Sequence, residues 1–246
     1  MIVNKTNEGW QVIYQHAHGV LAGQIANELS HDLRPDFWVE MLTAIVEHDD
    51  NQLNFEEKSY LNDGGLPQDF TEVERSKKEN LERAQRVMYT AQCKSGYVAL
   101  LISMHIEFLY GDLREEQGGF GKFLKEQETL RIKLRAMYNL TKKSAKSYYE
   151  ILRFCDRCSL ILCKNEFPAL GRKLEINKSI NNSEYYIYRR DDETIGVEPW
   201  CFENDTFEVG VEVLQLNKSK FKSNRDLKKT LESSQRIRQE FVFSKK

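Results

Sequence analysis

A chain of 246 residues, 40% hydrophobic and 30% charged, carries enough apolar material for one sizeable core and is excluded from the disordered and low-complexity classes. A net charge of −2 gives no overall pull on nucleic acid or an anionic membrane, and no apolar run reaches the ~18 residues that span a bilayer, so neither partner is expected. Five cysteines, an odd number, behind a start (Met1-Ile2-Val3-Asn4-Lys5) that lacks the pattern of a secretory signal, point to reduced thiols in a cytoplasmic protein.

In chain order, Met1 to Tyr14 alternates loosely around Asn7-Glu8-Gly9, which predicts a short hairpin. Helical periodicity then predicts helices over about 17–31, 36–49, 72–112 with a break near Lys94-Ser95-Gly96, and 123–164. Pro35 and Asp36 mark the start of the second. Two turn-rich stretches interrupt the pattern. Asn51 to Phe70, with Asn62-Asp63-Gly64-Gly65-Leu66-Pro67, directly follows His48-Asp49 and could close over a site; Gln117-Gly118-Gly119-Phe120-Gly121 is a second flexible candidate. The latter is no phosphate-binding P-loop, because Glu116 stands where its first glycine belongs.

From about Leu174 the signal becomes β: Tyr185-Tyr186-Ile187-Tyr188, Thr194 to Val197 and Phe207 to Leu216, then a helix over about 224–236 and a strand Glu240 to Phe243. The expected architecture is a single domain, mainly α (α+β): a helical core over 15–170, with a small antiparallel sheet over 171–246 packed on it as an appendage that residues 1–14 could join. Tyr185, Tyr186, Tyr188 and Trp200 would offer either a partner surface or a wall of the pocket.

The residues that carry chemistry sit on apolar stripes. His18 shares a face with Ala22, Ile25 and Leu29, whereas His16 points roughly the other way. His48 follows Phe37, Met41, Ala44 and Ile45, and Asp49 adjoins through Trp38, Leu42 and Ile45. Asp156 lies between Tyr149, Leu152 and Leu160, where an ionised carboxylate needs a cation or several hydrogen bonds. His105 occupies an apolar helix, with Asp112 seven residues later on the same face. One such residue is more often a hydrogen-bonded core group than a ligand; four together favour a site.

Imidazole and carboxylate donors suit manganese, iron, zinc, nickel or cobalt, as one or two divalent ions, with positions left open for a water that attacks a phosphoester. His18, His48, Asp49 and Asp156 are the candidate metal ligands. His105 would support a second metal or the substrate, and Asp50 or Glu47 would orient the water. Cys155-Asp156-Arg157-Cys158 has no second pair at matching spacing and reads as buried thiols rather than zinc or redox chemistry. Arg153 or Arg157 could bind a phosphate near Asp156.

His18, His48-Asp49 and Asp156-Arg157-Cys158-Ser159-Leu160 resemble the H…HD…D pattern of the HD-domain metal phosphohydrolase superfamily. Gln15 to Ala26, His48-Asp49-Asp50, Ser103-Met104-His105, Asp156 to Leu160 and Glu198-Pro199-Trp200-Cys201-Phe202 are similar more closely to an uncharacterised bacterial family of about this length. The superfamily resemblance implies an HD-like helical bundle around one or two metal ions, with a small phosphorylated molecule or nucleotide as substrate. The alternative is a non-catalytic ligand-binding or interaction protein that keeps the scaffold with a degenerate site.

Overall fold

The computed structural model describes residues 1–50, 54–73, 76–115, 119–181 and 183–246. Its helices are α1 (Gln15–Asn27), α2 (Trp38–Glu47), α3 (Lys77–Lys94), α4 (Gly96–Tyr110), α5 (Gly119–Met137), α6 (Lys142–Lys164) and α7 (Asn224–Ser233). Its strands are β1 (Ile2–Lys5), β2 (Trp10–Ile13), β3 (Leu174–Ile180), β4 (Ser183–Arg189), β5 (Ile195–Glu198), β6 (Thr206–Leu216) and β7 (Gln235–Ser244).

The mainly α bundle with a small antiparallel appendage is not what forms. The fold is α/β, with the seven helices set against one curled, mixed, seven-stranded sheet of order β1-β2-β6-β7-β5-β4-β3. Every neighbouring pair is antiparallel except β5–β7, which is parallel. The physical reason lies in β6, whose eleven residues are long enough to serve two partners. On one edge it pairs with β7 from Thr206 to Gln215, and on the other it takes in β2 through Trp10↔Leu216 to Val12↔Leu214. The N-terminal hairpin and the C-terminal strands thereby become one sheet, and the helices pack on it instead of only around each other.

Alternation on β6 turns Val209, Val211 and Val213 into the core that also holds Leu21, Ile25, Leu152 and Phe154 of the helices. Further along, Leu214 and Leu216 join Val12, Leu227 and Leu231 in a second apolar cluster under α7. Full burial of a Leu or Ile side chain contributes about 1.5–3 kcal/mol, so these contacts fix the sheet against the helices. Tyr185 and Trp200 belong to this packing: Tyr185 lies edge-on to Phe154, with ring centres 5.3 Å apart, and Trp200 lies against Phe202 at 5.0 Å.

Two devices set α1, and both bear on the site. Gln24 clamps it to β6, donating from Nε2 to the Gly210 carbonyl (2.9 Å) and accepting from the Gly210 amide (3.0 Å). Gly19 and Gly23 face α2 so closely that a Cβ on Gly19 would come within 2.2 Å of the Val46 carbonyl oxygen. Glycine here is a steric requirement of the α1–α2 approach, and that approach carries His18 to His48.

Helix boundaries differ from the periodicity in informative places. The break near Ser95 is present: Ser95 is extended and its side chain caps α4 by accepting from the Val98 amide. The second helix ends at Glu47, so His48 is its C-cap and Asp49 and Asp50 lie beyond it. Gly119-Phe120-Gly121 opens α5 instead of a flexible loop, with Phe120 buried, while Gln117 and Gly118 lie outside the described residues. The segment after His48-Asp49 is pinned elsewhere: Phe55 and Tyr60 pack into the cluster under α7, and Asn224 holds the Tyr60 amide (2.9 Å) and the Lys58 carbonyl (2.8 Å). Residues 51–53 lie outside the described part.

Candidate metal centre

Four of the sequence-selected residues meet between α1, the end of α2, and α6. His18 Nε2 stands 3.8 Å from Asp49 Oδ2 and 3.7 Å from Asp156 Oδ1, and His48 Nε2 stands 3.1 Å from Asp156 Oδ1. Both imidazoles are fully buried, while each carboxylate side chain keeps 16% of its surface. His105, from α4, adds a third ring whose centre is 5.0 Å from that of His48. His18, His48 and Asp49 form one group that could hold a metal ion, and His48, His105 and Asp156 form another.

Hydrogen bonds on the far side of each ring settle which nitrogen faces inward as a lone pair. Ser159 donates its hydroxyl proton to the Asp156 carbonyl (2.8 Å), so in its 2.8 Å contact with His18 Nδ1 it can only accept. His18 therefore carries its proton on Nδ1. His48 Nδ1 lies 2.7 Å from the Ile45 carbonyl, an obligate acceptor, and is protonated for the same reason. His18 Nε2 is left buried without a hydrogen-bond partner, and His48 Nε2 faces only the Asp156 carboxylate, at 3.1 Å. Hydrogen bonds of this kind at the outer nitrogen orient the rings of metal-ligating histidines.

Lone pairs of two imidazoles and oxygens of two carboxylates then confront one another across 3.1 to 3.8 Å. Such a convergence of acceptors is repulsive unless a proton or a cation lies among them. In the protein without an ion, the proton falls to His48. Burial works against its charge, but Asp156 and Asp49 outweigh that and hold its pKa up at about 9. Burial likewise opposes the charge on Asp49, yet His18, His48 and Arg83 keep its carboxyl well below the usual range; Asp156 is lowered against its burial, chiefly by His48. His105 goes the other way. Burial and the nearby charge of His48 push it down to about 4, so its ring is neutral at physiological pH and able to ligate. Ligand atoms held at metal–ligand distances of about 2.0–2.2 Å stand roughly 3.0–3.5 Å apart, close to the spacings found here, so the residues fit a metal.

Several supporting residues escaped the sequence reading. Arg83 of α3 donates to Asp49 Oδ1 at 2.8 Å and to its carbonyl at 3.3 Å, and Gln15 donates to Asp49 Oδ2 at 3.0 Å. Arg83 had a visible signal: it sits among Ala84, Val87, Met88 and Ala91, a charge on an apolar helix face like Asp156. Ser159 sits three residues beyond Asp156, one turn along the same face. Tyr149 places its hydroxyl 3.4 Å from His105 Nδ1.

Other expected participants are engaged elsewhere. Asp50 turns to His16, with Oδ1 3.3 Å from Nε2, and Glu47 pairs with Lys94 at 2.6 Å. Asp112 lies in the short turn after α4 and belongs to neither group. Arg157 pairs with Glu166 (3.3 Å) and Arg153 with Glu150 (3.2 Å). Cys155, Cys158 and Cys201 are buried free thiols whose pKa values burial drives up, which suits packing and not nucleophilic chemistry. No helix of the described residues is long and apolar enough to cross a membrane.

Residues 1–218 match the model of the family described as "Protein of unknown function (DUF3891)", and the chain belongs to that family. The comparisons give no support to membership of the HD superfamily. No curated protein and no solved structure matches the chain.

Proposed function

We propose that the protein is a metal-dependent phosphohydrolase acting on a small phosphorylated molecule or nucleotide. His18, His48, Asp49 and Asp156 are assigned to a divalent transition metal (manganese, iron, nickel, cobalt or zinc), and His105, sharing His48 and Asp156, to a second ion or to the substrate. The observation that carries the reading is the pair of buried Nε2 atoms turned toward two carboxylates while both Nδ1 atoms are committed elsewhere.

A bound cation would supply Lewis acidity, lowering the pKa of water and offsetting charge on a phosphoester. The chain's own residues set the conditions for it. Ser159 and the Ile45 carbonyl fix the two rings, Arg83 and Gln15 hold Asp49 in place, and His48 is common to the two groups, with Asp49 supplying the charge of one and Asp156 that of the other. Asp50, turned to His16, has no assigned role.

A second reading rests on the Arg83–Asp49 contact, which makes the cluster a self-contained ion-pair network in a non-catalytic ligand-binding or interaction protein. A phosphomonoester and phosphodiester panel, run with each of the five metals, separates the two. Turnover that needs metal and falls at least about 100-fold in His48→Ala supports the hydrolase. Turnover independent of metal contradicts it, and a fully loaded site without turnover favours the second reading.

A further inference from the structure

A cavity of about 720 Å³ opens between α4, α5 and α6, lined in part by Tyr149, whose hydroxyl stands 3.4 Å from His105 Nδ1. Its size falls in the range of small-ligand pockets, roughly 300–1,000 Å³. Six basic residues line it (Arg114, Arg131, Arg135, Lys142, Lys146 and Arg153) against three acidic ones (Glu107, Glu128 and Glu150), a local excess of three positive charges in a chain whose net charge is −2.

The three carboxylates are already spent. Glu107 takes Arg114 at 2.6 Å and Arg131 at 3.2 Å, Glu128 takes Arg114 at 2.7 Å, and Glu150 takes Arg153 at 3.2 Å. Arg135, half-buried, and Lys142 and Lys146, exposed at the rim, make no ion pair among the described residues. Arg135 uses only its Nε, on the Arg131 carbonyl at 3.4 Å, which leaves the terminal nitrogens of its guanidinium for a ligand. Lys142 and Lys146 are four apart on one helix face, a like-charge pair that costs stability unless an anion offsets it. Lys142 also opens α6, where the helix dipole adds positive potential.

Beside these cations the lining is apolar: Leu100, Met104, Phe108 and Ile132, with Phe108 and Ile132 each more than half exposed. Arg153 lies over the Phe108 ring at 4.2 Å. Charge at the mouth and apolar surface beside it match a ligand with an anionic group and an organic body.

We propose that this cavity binds a small organic phosphate, with the phosphate held by Arg135, Lys142 and Lys146 and the body lying on Phe108, Met104 and Ile132. The site is separate from the metal ligands, none of which lines it, and the proposal stands whether or not they hold an ion.

Titration calorimetry of chelator-stripped protein with ADP, and separately with inorganic pyrophosphate, tests it. ADP is expected to bind the wild type, at least about tenfold more weakly in a Lys142→Ala/Lys146→Ala double variant and in Arg135→Gln, with circular dichroism unchanged. Phe108→Ala is expected to weaken ADP more than pyrophosphate. Absence of binding by both probes, or ADP binding that neither charge variant alters, overturns the proposal. Because no metal is present, such a failure leaves the metal centre untouched, and failure of metal to bind leaves the cavity untouched.

Discussion

His16 Nε2 lies 3.3 Å from Asp50 Oδ1, and His48 Nε2 lies 3.1 Å from Asp156 Oδ1. In the first contact the side chains keep 60% and 31% of their surface; in the second, 0% and 16%. At the surface, water solvates both groups and screens their attraction, so the pair contributes little and tolerates either protonation state. Inside, solvation is largely withdrawn, and the same two residue types become a place where a proton or a cation is favoured. Composition and spacing alone do not distinguish the two pairs. What separates them is burial: His48 at the end of α2 and Asp156 on α6 meet inside the helices, whereas His16 and Asp50 meet at the surface.

Arg83 offers the largest expected effect on stability along this divide. Its side chain, 9% exposed, is a charged partner of Asp49, and Arg83→Met leaves that carboxylate undercompensated. A loss of about 3 kcal/mol in urea unfolding of the metal-free protein is expected, partly recovered when a divalent metal is added. Unchanged stability would mean that Asp49 behaves as Asp50 does.

The buried pair should also respond to pH. A histidine held up at about 9 contributes stability that is fully present below its unfolded value near 6.5 and is lost as pH rises through about 9. A metal has to displace that proton. Apparent affinity should therefore climb by up to about tenfold per pH unit from 7 toward 9 and then level off, with close to one proton released on binding at pH 7.5. Calorimetry in buffers of different ionisation enthalpy counts the proton. Affinity flat across that interval would contradict the assignment of the proton to His48.

His16→Ala is the small end of the comparison. It should change stability by less than about 0.5 kcal/mol and leave metal content unaltered, as thermal unfolding and elemental analysis would show.

Much of the inner set was legible because helical phase is a local property: His18, His48, Asp49 and Asp156 were picked out by the stripes they share with Ile25, Met41 and Leu152, and the structure brings them together. Asp49 and Asp50 lie beyond the end of α2 at Glu47, where the 3.6-residue period no longer says which way a side chain points; Asp49 turns to His18 and Asp50 to His16. The frame was less legible. Residues 1–14 do join the C-terminal strands as expected, but four-residue strands such as β1 and β2 carry no local signature of the register, Trp10 against Leu216, that makes one full sheet of them. Gln24 was visible in the sequence, but its bond to Gly210 was not, since that depends on the same long-range pairing.

Elemental analysis of protein purified without chelator, alongside Asp156→Asn, tests the central claim most directly. The amide keeps the shape of the side chain and removes the carboxylate charge of the His48–His105–Asp156 group, a charge that also faces His18 Nε2 at 3.7 Å. One or two equivalents of a divalent transition metal in the wild type, lost in a variant that remains folded by circular dichroism, is the predicted result. A wild type that carries no metal and takes up none on titration, or full occupancy surviving in Asp156→Asn, would contradict it.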